Sequence, residues 1–81
     1  MNSNLILVVD DEPDLRETVS ILLELNGFKV LEASNDDEMY SQLDKNDVSL
    51  ILLDIGMPGN DGLTVMKEFR TKSDVPVVLL T

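Results

Sequence analysis

The sequence predicts an α/β fold, a doubly wound parallel sheet in the order β-α-β-α-β-α-β. Three observations carry this. Short continuous apolar runs have the length and branched composition of strands buried on both faces. Between them lie longer stretches with apolar residues at helical spacing. The connections are short, and no repeat, linker or low-complexity stretch interrupts the alternation. Such alternation places the strands parallel in one sheet with helices on its faces, joined by right-handed crossovers.

The first strand is Leu5-Ile6-Leu7-Val8-Val9, bounded by Asn4 and Asp10. In Asp10-Asp11-Glu12-Pro13-Asp14, the proline and the acids both fit the first turn of a helix. Leu15, Val19, Leu22, Leu23 and Asn26 then share one helical face, and Gly27 stands where a helix C-terminus favours positive φ. Phe28 to Ala33 is half alternating and predicts the second strand. Ser34-Asn35-Asp36-Asp37 resembles a capping box. Met39, Tyr40 and Leu43 give the second helix its apolar stripe, and Lys45-Asn46-Asp47 is a polar break. Val48 to Leu53 is the third strand, ended by Asp54. The run Gly56-Met57-Pro58-Gly59-Asn60-Asp61-Gly62 is rich in turn formers. Leu63, Met66, Phe69 and Arg70 mark a third helix, closed by Thr71 to Asp74. Val75 to Leu80 is a fourth strand, with Pro76 tolerated near its start, and Thr81 comes last.

The 81 residues suffice for one domain, and a hydrophobic fraction of 43% is enough for a core. With no cysteine and no histidine, disulfides, thiolate sites and imidazole catalysis are excluded. A metal site here must use oxygen ligands, which favours magnesium, calcium or manganese. The net charge of −10, from 16 acidic and 6 basic residues, argues against binding nucleic-acid phosphates through this chain. Asn2 to Asn4 are polar, Leu5 to Val9 is too short for a signal peptide, and nothing approaches a membrane span. The expectation is a cytoplasmic protein without membrane contact.

Parallel α/β sheets bind ligands at the carboxyl ends of their strands. Asp10 and Asp11 end the first strand and Asp54 ends the third. If those strands are neighbours, three carboxylates meet, and their repulsion calls for a compensating hard cation such as Mg²⁺. Each part also has a plain alternative. The acid pair favours a helix N-terminus by itself, Asp54 fits a turn, and Met39, Met57 and Met66 fit packing roles. Their joint placement on alternate strand ends is what points to chemistry.

Three blocks carry a family resemblance. They are Leu7-Val8-Val9-Asp10-Asp11-Glu12, then Leu52-Leu53-Asp54-Ile55-Gly56-Met57-Pro58 with Asp61-Gly62, then Pro76-Val77-Val78-Leu79-Leu80-Thr81. Together they resemble the receiver domain of bacterial two-component response regulators, in order and at normal spacing. The resemblance implies a flavodoxin-like, CheY-like sheet with strand order 2-1-3-4 and a phosphorylatable switch rather than a turnover enzyme. It implies Asp54 as phospho-acceptor and Thr81 as the hydroxyl that binds a phosphoryl oxygen. It implies Mg²⁺ held by Asp11, Asp54 and the Gly56 carbonyl, with Asp10 acting through a metal-bound water. Pro58 and Gly62 would shape the loop into the third helix. The implied partner is a histidine kinase or phosphotransfer protein.

Full members continue through a fourth helix, a fifth strand ending in a phosphate-binding lysine, and a fifth helix. Residues 1–81 would then be a partial receiver domain. None of Arg16, Lys29, Lys45, Lys67, Arg70 and Lys72 stands at that strand end. Two alternatives follow, a folding or assembly module without activity and a Mg²⁺-dependent phosphohydrolase with an aspartyl nucleophile. The haloacid-dehalogenase pattern of the latter wants an acid two residues after the nucleophile, where Gly56 stands. An open fourth-strand edge without charge also predicts a homodimer.

Overall fold

The computed structural model describes residues 4–54 and 62–80, with side chains at all of these except 62, 63 and 65. The elements are β1 (Leu5–Val9), α1 (Pro13–Leu25), β2 (Lys29–Ala33), α2 (Asp36–Lys45), β3 (Leu50–Asp54), α3 (Gly62–Arg70) and β4 (Val77–Leu80). The four strands form one parallel sheet in the order β2-β1-β3-β4, as the resemblance implies.

Side chains alternate between the two faces of a strand, so the register sorts them. Leu7 pairs with Leu31 and Ile51, and Ile51 pairs with Val77. Val9, Ala33, Leu53 and Leu79 make the next row. Met39 of α2 and Phe69 of α3 close this face into the core. On the opposite face α1 packs over β1 and β2. It buries Ile6 and Val8, whereas Leu50 and Leu52 are half-buried and Val78 is 46% exposed.

The ends of α1 follow from local chemistry. Pro13 takes the first helical position, where its missing N–H costs nothing. At the far end Gly27 has φ of 90°, its N–H donates to the Glu24 carbonyl, and the Phe28 N–H donates to the Leu23 carbonyl. That pair of bonds is a Schellman motif. It also corrects the start of β2. Phe28 spends its N–H on the helix, so the strand begins at Lys29, whose N–H donates to the Asn4 carbonyl.

Other boundaries shift for similar reasons. The cap of α2 is Asn35 rather than Ser34. Asn35 Oδ1 accepts from the Glu38 N–H, and Glu38 Oε1 accepts from the N–H and hydroxyl of Ser34. Val48 is buried but lies before β3, which starts at Leu50. The fourth strand starts at Val77, because Pro76 has no N–H to give the ladder, although its carbonyl accepts from Ile51 N–H.

The apolar face expected for α1 is corrected. Leu15 and Leu22 are 49% and 55% exposed, and Asn26 is exposed. The side turned inward carries Arg16, Val19, Ser20 and Leu23. Two polar residues can sit there because both have partners. Ser20 Oγ donates to the Arg16 carbonyl, and the Arg16 guanidinium reaches the end of β1.

Candidate functional site

The β1–β3 register runs Ile6↔Leu50, Leu7↔Ile51, Val8↔Leu52 and Val9↔Leu53. One step further sets Asp10 beside Asp54, on the α1 side of the sheet. The backbone continues the ladder at this point, with Asp10 N–H donating to the Ala33 carbonyl. Asp11 follows in the bend before α1. One carboxylate oxygen from each of Asp10, Asp11 and Asp54 lies within 4.8 Å of the other two. Asp10 is 2% exposed, Asp54 is half-buried and Asp11 is exposed.

Burial pushes the Asp10 carboxyl above the ordinary value of 3.8, the Glu12 N–H opposes that shift, and the charges of Asp54 and Asp11 push it further up. The Glu12 N–H donates to Asp10 Oδ1 at 2.9 Å. Three acids at this spacing suit a hard divalent cation. Oxygens this close can share one hard cation, some directly and one through a bound water. The donor set is all oxygen and anionic, which matches Mg²⁺ chemistry.

A raised acid has a consequence for stability. The folded chain holds the Asp10 proton more tightly than the unfolded chain, so stability falls as pH rises from the unfolded value through the raised folded value. The penalty is complete above that folded value and gone below the unfolded one. Asp10→Asn keeps an oxygen acceptor for Glu12 N–H and removes the charge. Without metal, it is expected to stabilise the fold by about 1 kcal/mol at neutral pH, with the gain shrinking at about pH 4, while Mg²⁺ affinity drops. Urea unfolding at the two pH values checks this, and equal gains at both would contradict the assigned cause.

The structure brings Asp10, Asp11 and Asp54 together. Gly56, Pro58 and Thr81 lie outside the described residues, and of Gly62 only the backbone is described. Sequence reasoning passed over two neighbours of the site. Arg16 Nη1 donates to the Asp10 carbonyl at 2.8 Å, and its Nε donates to Glu32 Oε1 on β2 at 2.9 Å. The available signal was Arg16 and Ser20, four apart on the side of α1 that also carries Val19 and Leu23.

Known proteins give the same picture. The family model described as the response regulator receiver domain matches residues 6–81. The phosphate regulon transcriptional regulatory protein PhoB of Escherichia coli (strain K12) is 44% identical over 79 residues, covering 94% of this chain and 34% of PhoB. The crystal structure of the response regulator TrrA of Thermotoga maritima in complex with Mg(2+)-BeF superimposes with a TM-score of 0.86 at 40% identity, covering 95% of this chain and 68% of that one. TrrA in complex with the histidine kinase ThkA gives a TM-score of 0.87 at 41% identity, with 95% and 67% covered. The chain spans about a third of the length of the curated relatives it matches. With the family match running from β1 to the last residue and the acids meeting where parallel α/β sheets bind their ligands, this chain belongs to the response regulator receiver domain family.

Proposed function

We propose that this chain is the phospho-acceptor part of a two-component signalling switch, with Asp54 taking a phosphoryl group from a histidine kinase or phosphotransfer protein. The observation that carries this reading is the meeting of Asp10, Asp11 and Asp54 at the carboxyl ends of two neighbouring strands. Asp11, Asp54 and the Gly56 carbonyl would hold Mg²⁺, with Asp10 acting through a bound water. The ion supplies charge neutralisation between the acids and the incoming phosphoryl oxygens. The Asp54 carboxylate oxygen attacks phosphorus in line as the phosphorus–nitrogen bond of a phosphohistidine breaks, and the imidazole leaves with the bonding pair and takes a proton. An acyl phosphate on Asp54 remains.

Thr81 would donate its hydroxyl to a phosphoryl oxygen. It follows Leu80, the residue paired with Asp54 across β3 and β4. The outcome is a charge switch and not catalytic turnover. TrrA, crystallised both with Mg(2+)-BeF and with a histidine kinase, supports the cation and the partner class. Relatives such as PhoB are named as regulators of transcription. The same output in a longer parent would fall to residues outside this chain, whose net charge of −10 opposes nucleic acid. A cytoplasmic site of action goes with a kinase partner of this kind, and no helix among the described residues is long and apolar enough to cross a membrane.

The test is incubation with acetyl phosphate and Mg²⁺, followed by intact mass measurement and borohydride trapping. One phosphoryl group per chain, dependent on Mg²⁺, is the expected result. An unlabelled chain with Mg²⁺ bound would remove the phospho-acceptor reading and leave a folding or assembly module.

The outer edge of β4 supports self-association. Among the described strands β4 pairs only with β3, and Val77-Val78-Leu79-Leu80 carries no charge. A second copy can add its own β4 antiparallel about a two-fold axis. Salt screens the −10 charge beyond about 10 Å at 0.1 M, so dimer formation should strengthen as salt is added. Sedimentation at several protein and salt concentrations checks this, and a monomer throughout would rule the edge pairing out.

A further inference from the structure

We propose that Arg16 is a positioning residue for the acid cluster, fixing the peptide that joins Asp10 to Asp11 so that both carboxylates face Asp54. This rests on the cation site proposed above. Arg16 does not touch the carboxylate oxygens that would hold the ion. Its Nη1 donates to the Asp10 carbonyl oxygen at 2.8 Å and its Nε to Glu32 Oε1 at 2.9 Å. Two further polar atoms of Asp10 are also committed. Asp10 N–H donates to the Ala33 carbonyl at 3.0 Å, and Asp10 Oδ1 accepts from Glu12 N–H at 2.9 Å. Asp10 is therefore held through its N–H, its carbonyl and one carboxylate oxygen, by β2, α1 and the turn before α1.

The placement is informative because its charge is unfavourable for the proposed ligand. A guanidinium beside a site for a divalent cation repels that cation. The Arg16 side chain is only 18% exposed, so solvent screens it little, and its ion pair with Glu32 offsets part of the repulsion. An arginine in such a place has to act through geometry. Its planar fork serves two acceptors at once, one at the end of β1 and one on β2, while its own backbone belongs to α1. Three elements are locked around one peptide. A lysine can keep the charge but cannot serve both acceptors in the same fixed arrangement.

The geometric and charge effects have opposite signs in the same experiment. Arg16→Met removes both the charge and the fork, and Arg16→Lys removes only the fork. Titrate Mg²⁺ into the parent chain and each variant, following amide shifts of Asp10, Asp11 and Asp54. Positioning predicts that both variants bind about tenfold more weakly, the range found when groups that orient metal ligands are lost. A simple charge effect predicts tighter binding for the methionine variant and parent-like binding for the lysine variant, and either result overturns the proposal. Glu12 amide exchange, measured without metal, is the second readout. Faster exchange in both variants, with the rest of the sheet still protected, is expected, and unchanged exchange overturns the role of Arg16 in the turn. A parent chain that fails to bind Mg²⁺ would sink the cation reading itself, and the Glu12 exchange would still decide whether Arg16 holds the turn.

Discussion

Asp54→Asn is expected to abolish the phosphoryl label completely. The amide is close in size to the carboxylate, so β3 keeps its register with β1 and β4. An amide oxygen is a poor nucleophile, and the acyl phosphate cannot form on it. The neighbouring acids do not replace Asp54. Asp10 has Oδ1 engaged by Glu12 N–H and is only 2% exposed, so its carboxylate is poorly placed to meet a phosphodonor. Asp11 is exposed in the bend before α1 and would be engaged by the proposed cation. Loss of one anionic ligand should also weaken Mg²⁺ by at least about tenfold. The measurement is mass spectrometry after acetyl phosphate treatment, with the labelled peptide located by fragmentation. Label on Asp10 or Asp11 of the variant would show that the acceptor has been misassigned.

Ile51→Ala should be among the most damaging changes to the fold. Ile51 is 0% exposed and lies in β3 between Leu7 of β1 and Val77 of β4. Removing three carbons from such a position costs about 2–5 kcal/mol. A domain of this size has on the order of 4–12 kcal/mol in total, so the variant should sit close to unfolding. Leu22→Ala removes as many carbons from a side chain that is 55% exposed, and should change stability by about 0.5 kcal/mol or less. Urea unfolding of the pair is a test of the register as well as of burial. Comparable losses at both positions would show that β3 is not an inner strand.

The elements were legible in the sequence because each contains its own signal. Leu5 to Val9 and Val48 to Leu53 are short, strongly apolar runs that read as strands, although the second begins at Leu50 in the structure. Pro13 and Gly27 mark the two ends of α1 through backbone restrictions that act locally. The acid site was legible for the same reason, since strand ends and parallel pairing fix where Asp10, Asp11 and Asp54 meet. What escaped depends on which neighbour a residue meets. Leu15 and Leu22 satisfy helical spacing as well as Val19 and Leu23 do, and only the seat of α1 over β1 and β2 decides which pair is covered. Arg16 is invisible as a structural residue until Glu32 and the Asp10 carbonyl are known to be beside it. The one-residue shift of the α2 cap has a local cause that could have been found, because Glu38 lies three residues after Asn35.

The position of β1 also governs the order in which the fold can form. It precedes the other described strands and is an inner strand of the sheet, bonded to β2 on one side and β3 on the other. A chain emerging from the ribosome can pair Leu5 with Lys29 once β2 is made, but Ile6 has to wait for Leu50. Until then the apolar ladder of β1 has one open side, and Asp10 and Asp11 have no Asp54 to face. The β1-α1-β2 unit is thus a nascent piece with a sticky edge, the kind of species that chaperones shield. Arrival of β3 closes that edge and assembles the acid cluster in one step. Acquisition of the site is therefore a reporter of folding, and cation binding by a growing chain should appear only after residue 54 has left the exit tunnel.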